Sequence, residues 1–206
     1  MIALFKPGGP LHLGGLFRRG EAARRRAIEA LHVRINAASR VPALYTELGV
    51  PDSVEGRFEA LCLHVVLVLR ALRRLPPPAG DIAQDLVNSV FTQLDASLRE
   101  LGVGDMGVSK RMKKLAQAFY GRASAYDAAL DAGDAGALAL ALARNVLGRD
   151  DPAAAAGLSA YVAAADRDLS VPAGPPGLDR LMESGPTLPD PARFRSAAAP
   201  IEGGAP

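Results

Sequence analysis

Nine consecutive residues, Leu61 to Leu69 (LCLHVVLVL), carry a single polar ring among them and lie between Glu59 and Arg70. A helix that crosses a bilayer needs about 20 apolar residues, so this run is too short to span. It belongs to a wider pattern. Val54, Phe58, Leu61, Val65, Val68 and Leu72 recur at helical spacing, and Leu63, Val66, Leu67 and Leu69 fill much of the remaining circumference. A helix apolar nearly all round is the buried, central one of a domain. With 206 residues, 49% of them hydrophobic, the chain has material for one such domain.

The flanking segments supply the outer helices. From Glu21 to Arg40, Ile28, Leu31 and Ile35 line one helical face, and Pro42 ends the element. Gly49-Val50-Pro51-Asp52 is a turn, and Asp52 with Glu55 forms a capping-box pattern ahead of the central helix. Pro76-Pro77-Pro78 breaks the chain, and Asp81 with Gln84 repeats the pattern before Ile82, Leu86, Val90, Leu94, Leu98 and Leu101. After Gly102 to Asp105, the residues Met112, Leu115, Phe119, Ala123, Tyr126 and Leu130 mark the next helix, and alanine-rich helical patterns follow at 138–147 and 153–165. No strand alternation stands out, so the expected fold is all-α, a single compact domain of about six helices. From Val171 on, 13 of 36 residues are Pro or Gly, which predicts an extended or mobile tail that Leu178, Leu181, Met182 and Phe194 anchor in places. The expected organisation is a flexible basic extension over 1–20, a helical domain over 21–170 and a Pro/Gly-rich tail over 171–206.

Chemistry finds no seat. One cysteine forms no internal disulfide, and His12, His32 and His64 with Cys62 give no metal-ligand spacing. Cys62 and His64, two apart on a helix, point about 200° apart, so they form neither a chelate nor a nucleophile and base pair. His64 reads as a hydrogen-bonded core or interface histidine and Cys62 as a small buried hydrophobe. No nucleophile elbow, phosphate-binding loop or metalloprotease motif is present, so neither catalysis nor a cofactor is expected. No export signal or transit peptide is recognisable, which leads to the expectation of a bacterial-type cytoplasmic protein.

The net charge of +2 hides an asymmetry: residues 1–40 hold eight basic and two acidic side chains, residues 150–206 four and eight. The front arginines, Arg18 to Arg34, read either as a solvated face or as a patch for anionic lipid or nucleic acid. With ten aromatic residues and no Trp, stacking platforms for nucleic acid are not indicated. The segment GDMGVSKRMKKLAQAFYGR (104–122) gathers Lys110, Arg111, Lys113, Lys114 and Arg122 against Asp105 alone. Cations at a helix start oppose the helix dipole, which favours an external use for them more than for charges at the far end; a wet lysine face is the alternative reading. Gly121 inside the helix costs about 1 kcal/mol relative to Ala and suggests close approach of another backbone or a partner.

Two blocks carry a resemblance. LYTELGVPDSVEGRFEALCLHVVLVLRALRR (44–74) and LRELGVGDMGVSKRMKKLAQAFYGRASAYDAAL (98–130) resemble the signature blocks of the ubiquinol-cytochrome c chaperone family. Gly49, Val50, Pro51, Asp52, Gly56, Arg57 and Phe58 match the first block. Gly104, Asp105, Lys110, Lys113, Lys114, Phe119, Tyr120, Gly121 and Arg122 match the second. Leu44, Ser53 and Gly107 depart mildly. The resemblance implies a non-enzymatic assembly factor for the cytochrome bc1 complex, respiratory complex III, whose client is newly made cytochrome b. A small partner protein and a peripheral contact with the cytoplasmic face of an anionic inner membrane go with that reading; specific nucleic-acid binding does not. The expected partner surface joins Asp52, Arg57 and Phe58 of the first block to Asp105, Lys110, Lys113, Lys114, Phe119, Tyr120, Gly121 and Arg122 of the second.

Overall fold

The computed structural model describes residues 13–170 and 175–195, with side chains from Gly20 onward and again from Gly177. Residues 1–12, and with them most of the expected basic extension, lie outside the described part, as do 196–206 of the tail. Every regular element among the described residues is helical: α1 (Leu13–Ala38), α2 (Pro42–Thr46), α3 (Val54–Arg73), α4 (Ala79–Glu100), α5 (Asp105–Ala132), α6 (Ala135–Leu142), α7 (Ala156–Leu169) and α8 (Pro175–Ser184). A π-helical turn (Ala143–Leu147) and two 3-10 turns (Pro152–Ala155, Pro191–Phe194) complete the set.

α3 is the axis. It buries 13 of its 20 residues and packs on α1, α4, α5 and α7 at once, as its apolar circumference requires. Its start differs from the capping box expected at Asp52. Ser53 is the cap, its hydroxyl accepting from the Gly56 amide at 3.0 Å, while Asp52 is drawn aside to Arg57 at 2.7 Å. Gly56 is obligatory here: a Cβ would lie 2.0 Å from the Pro51 carbonyl oxygen. The box expected at Asp81 and Gln84 also fails. α4 begins two residues earlier, at Ala79 after Pro78, without a side-chain cap. Pro42 does not end α1, which stops at Ala38; it opens α2, where its missing N–H costs nothing.

Short connections make α3 and α4, and α4 and α5, antiparallel neighbours, so α3 and α5 run in the same sense. Their ion pairs advance together, Glu59 with Arg122 and Arg70 with Asp127 and Asp131. The core contains Leu31, Ile35, Leu63, Leu67, Leu72, Leu86, Tyr126, Leu142, Leu158 and Tyr161.

Over 175–195 the tail is ordered, and the anchoring expected of Leu178, Leu181, Met182 and Phe194 is found. α8 packs on α1, and Arg34 donates to the Met182 carbonyl at 2.9 Å. The turn at Pro191–Phe194 sits against α2 and α7, with the Phe194 ring edge-on to Tyr161 at 5.8 Å and Arg195 paired with Glu47 at 2.8 Å. Proline density did not prevent folding because Asp190 caps its turn through the Ala192 amide and Leu181 is buried.

Candidate functional site

α5 is two helices in one. From Phe119 onward it is fastened to α3. Arg122 spans Glu59 with two bonds of 2.5 Å, Phe119 is 3% exposed and packs edge-on to Phe91 of α4, and Tyr126 and Ala129 are buried. Burial pushes the Glu59 carboxyl up from its ordinary value and Arg122 pulls it back. Farther along, Arg70 of α3, itself 3% exposed, bonds Asp127 at 2.8 Å, Asp131 at 2.8 Å and Asp166 of α7 at 3.0 Å. Arg73 shares Asp127 and Arg74 shares Asp166. Burial alone raises the Asp166 pKa, but the Arg74 and Arg70 bonds outweigh it and hold the carboxyl below its usual range. This network clamps three helices. Sequence reading passed over it by treating Arg70 as the end of an apolar run. The spacing of Asp127 and Asp131, one helical turn apart, was the available signal.

Before Phe119 the helix has a different character. Only Val108 is buried, and Lys110, Lys113 and Lys114 are exposed. At 3.6 residues per turn these lysines share one stripe with Met106, Gln117, Tyr120 and Gly121, opposite Val108, Leu115 and Phe119. None of the three lysines has an acidic partner within 4.0 Å among the described residues. Of the arginines around them, Arg99 is engaged with Asp95 and Asp105 and Arg122 with Glu59, while Arg111 is exposed and pairs with no acid among the described residues. Tyr120 is 58% exposed, and nothing approaches within 4 Å of where a Gly121 Cβ would stand. The close packing expected at Gly121 is therefore not made among the described residues.

The expected surface divides three ways. Lys110, Lys113, Lys114, Tyr120 and Gly121 are brought together on the free face of α5. Phe119 and Arg122 turn inward, and Asp105 is held by Arg99 at 2.5 Å at the helix start. Asp52 and Arg57 pair with each other in the open. Because Glu59 is the α3 residue that meets α5, Arg57, two positions earlier, points about 160° away from it. The first block is thus not brought onto the lysine stripe, and Phe58 is half-buried against the core.

The remaining candidates do structural work. The His64 Nδ1–H donates to the Ala60 carbonyl at 2.7 Å, which leaves Nε2 to accept from the Tyr161 hydroxyl at 2.8 Å. Burial lowers its pKa to about 4, only partly offset by the Ala60 bond, so the ring is neutral in the core. The Cys62 thiol is pushed up by burial, which makes it unreactive. Among the described residues no group of three or more His, Cys, Asp or Glu is placed to hold a metal. Among the front arginines whose side chains are described, not all stay free. Arg24 pairs with Asp85 at 2.6 Å and Arg34 is committed to Met182, leaving Arg25 and Arg26 exposed. A polar cleft of about 910 Å³ opens beside that pair, between α1 and α4.

No described helix is long and apolar enough to cross a membrane. A search of curated proteins finds no match. Among solved structures, the chain is similar to the crystal structure of the Cbp3 homolog from Brucella abortus. The two share 40% sequence identity and a TM-score of 0.73, over 86% of this chain and 96% of that one. The family model described as Ubiquinol-cytochrome C chaperone matches residues 46–174. That range holds the Ser53 cap, the central helix, the Arg70 clamp and the lysine stripe, and the chain belongs to the ubiquinol-cytochrome c chaperone family.

Proposed function

We propose that this protein is a non-enzymatic assembly chaperone for the cytochrome bc1 complex and that it holds newly made cytochrome b on the exposed stripe of α5. The observation that carries the reading is the freedom of Lys110, Lys113 and Lys114, three cations on one rigid face with no acid assigned to them by the fold. Tyr120 supplies an amphipathic anchor at the end of the stripe, and Gly121 admits a partner backbone at close range. The Asp52 and Arg57 pair, on the other side of α3, suits a second contact, such as a small partner protein. Inward-turned Phe119 and Arg122 set the pitch of α5 rather than touch the client. A working place at the cytoplasmic face of the inner membrane follows from a client embedded there.

The test is capture of cytochrome b by Lys110→Glu, Lys113→Glu and Lys114→Glu combined. Co-purification should fall at least tenfold while helical circular dichroism is unchanged, since exposed charges contribute little to stability. Undiminished capture by this variant would remove the stripe from the function.

A further inference from the structure

Past Leu94, the hairpin of α4 and α5 leaves the body of the protein. Leu98, Val103, Met112 and Leu115 are half-buried against one another's helices and lie outside the main core cluster. From Leu94 to the turn at Leu101 is seven residues, so the hairpin runs on for roughly 10 Å past that cluster. At its end Leu101 is 75% and Met106 91% exposed, two of the five large apolar side chains so exposed among the described residues. They flank the turn that joins the helices. Immediately behind them, one turn of α5 back, come Lys110 and Arg111, followed by Lys113 and Lys114.

We infer that this tip seats in an anionic lipid surface, with Leu101 and Met106 entering the acyl boundary and Lys110 and Arg111 lying among the phosphates. A protein partner of ordinary size contributes about 800 Å² with matching shape, which two side chains on a convex point do not answer. A bilayer interface needs no matching concavity. Charge supports the choice: four cations follow the tip within two turns, against Glu100 and against Asp95 and Asp105, which share Arg99. The helix start adds to it. Gly104 gives α5 no side-chain cap, so its first N–H groups face outward with the tip, and an external anion satisfies them and relieves the cost of cations at that end. The site is distinct from the front arginine patch, and it needs no client.

The measurement is co-flotation of the full chain with vesicles of phosphatidylcholine, with and without phosphatidylglycerol. Binding is expected only with the anionic lipid and should weaken with salt. Leu101→Ser with Met106→Ser should cut partitioning at least tenfold, and Lys110→Gln with Arg111→Gln about fivefold for each charge removed. Capture of detergent-solubilised cytochrome b should survive Leu101→Ser alone, a residue of α4 off the α5 stripe, which separates this inference from the client reading. It is overturned if the chain ignores anionic vesicles or if the tip variant floats as well as the parent. It also falls if Arg25→Gln with Arg26→Gln abolishes flotation while the tip variant does not, or if Leu101→Ser alone loses cytochrome b in detergent.

Discussion

The two halves of α5 share one backbone and meet opposite fates. The C-terminal half spends its charges inside the molecule: Arg122 on Glu59, Asp127 and Asp131 on Arg70. The N-terminal half keeps its lysines unspent and turns its inner side to α4. Sequence composition marks a difference, four cations and one acid over 105–118 against one cation, two acids and three aromatic residues over 119–132, but not which charges find a partner. What separates them is the reach of α3, whose side chains meet α5 from Arg122 onward. Charges that find a partner in the fold become structure, and those beyond its reach are left for another molecule.

Three experiments bear on that contrast. Replacing Arg70 by Met should hurt most, by about 4 kcal/mol in denaturant unfolding, because Asp166 and Asp127 then lose a buried partner. Hydrogen exchange should loosen α3 and the second half of α5 together; an effect confined to the hairpin would break the comparison. Acid comes next. The unfolded His64 ring takes a proton near 6.5 and the folded one only near 4, so the unfolded chain binds more protons in that window. Stability falls by about 3 kcal/mol as the pH drops through it, at 1.36 kcal/mol for each pKa step. Below the window Asp166, held low in the fold, is lost in turn. His64→Gln should flatten the upper part of this decline, and an unchanged slope would assign it elsewhere. The smallest effects come from two glycines. Gly56→Ala should cost about 2 kcal/mol by driving the Pro51 turn away, whereas Gly121→Ala should stabilise by about 1 kcal/mol, since its Cβ meets nothing. Equal effects at the two positions would erase the distinction between packed and free glycine.

Much of this could be read in advance, for physical reasons that differ by element. The centrality of α3 was legible because apolar residues all round a helix leave no other place for it. His64 was legible because its neighbours in sequence are all core. The pattern of α5 showed a basic start, but not which cations stay free, because that depends on Glu59 and Arg70, more than 50 residues away. The cap at Ser53 was missed because Asp52 fits the same template, and only the competing pull of Arg57 decides between them. The separation of Asp52 and Arg57 from the lysine stripe follows from the angle around α3, which motif matching does not convey. Over 175–195, proline content outweighed a few apolar anchors in the sequence, while in the fold those anchors prevail.

The bond from Arg34 to the Met182 carbonyl bridges 148 positions, which sets a schedule for the newborn chain. At roughly 5–20 residues per second, α1 waits roughly 7–30 s on the ribosome before α8 arrives to cover it. Tyr161, whose outer side is closed by Phe194, is sealed later still. Of the described helices, the one that leaves the exit tunnel first is therefore among the last to be finished.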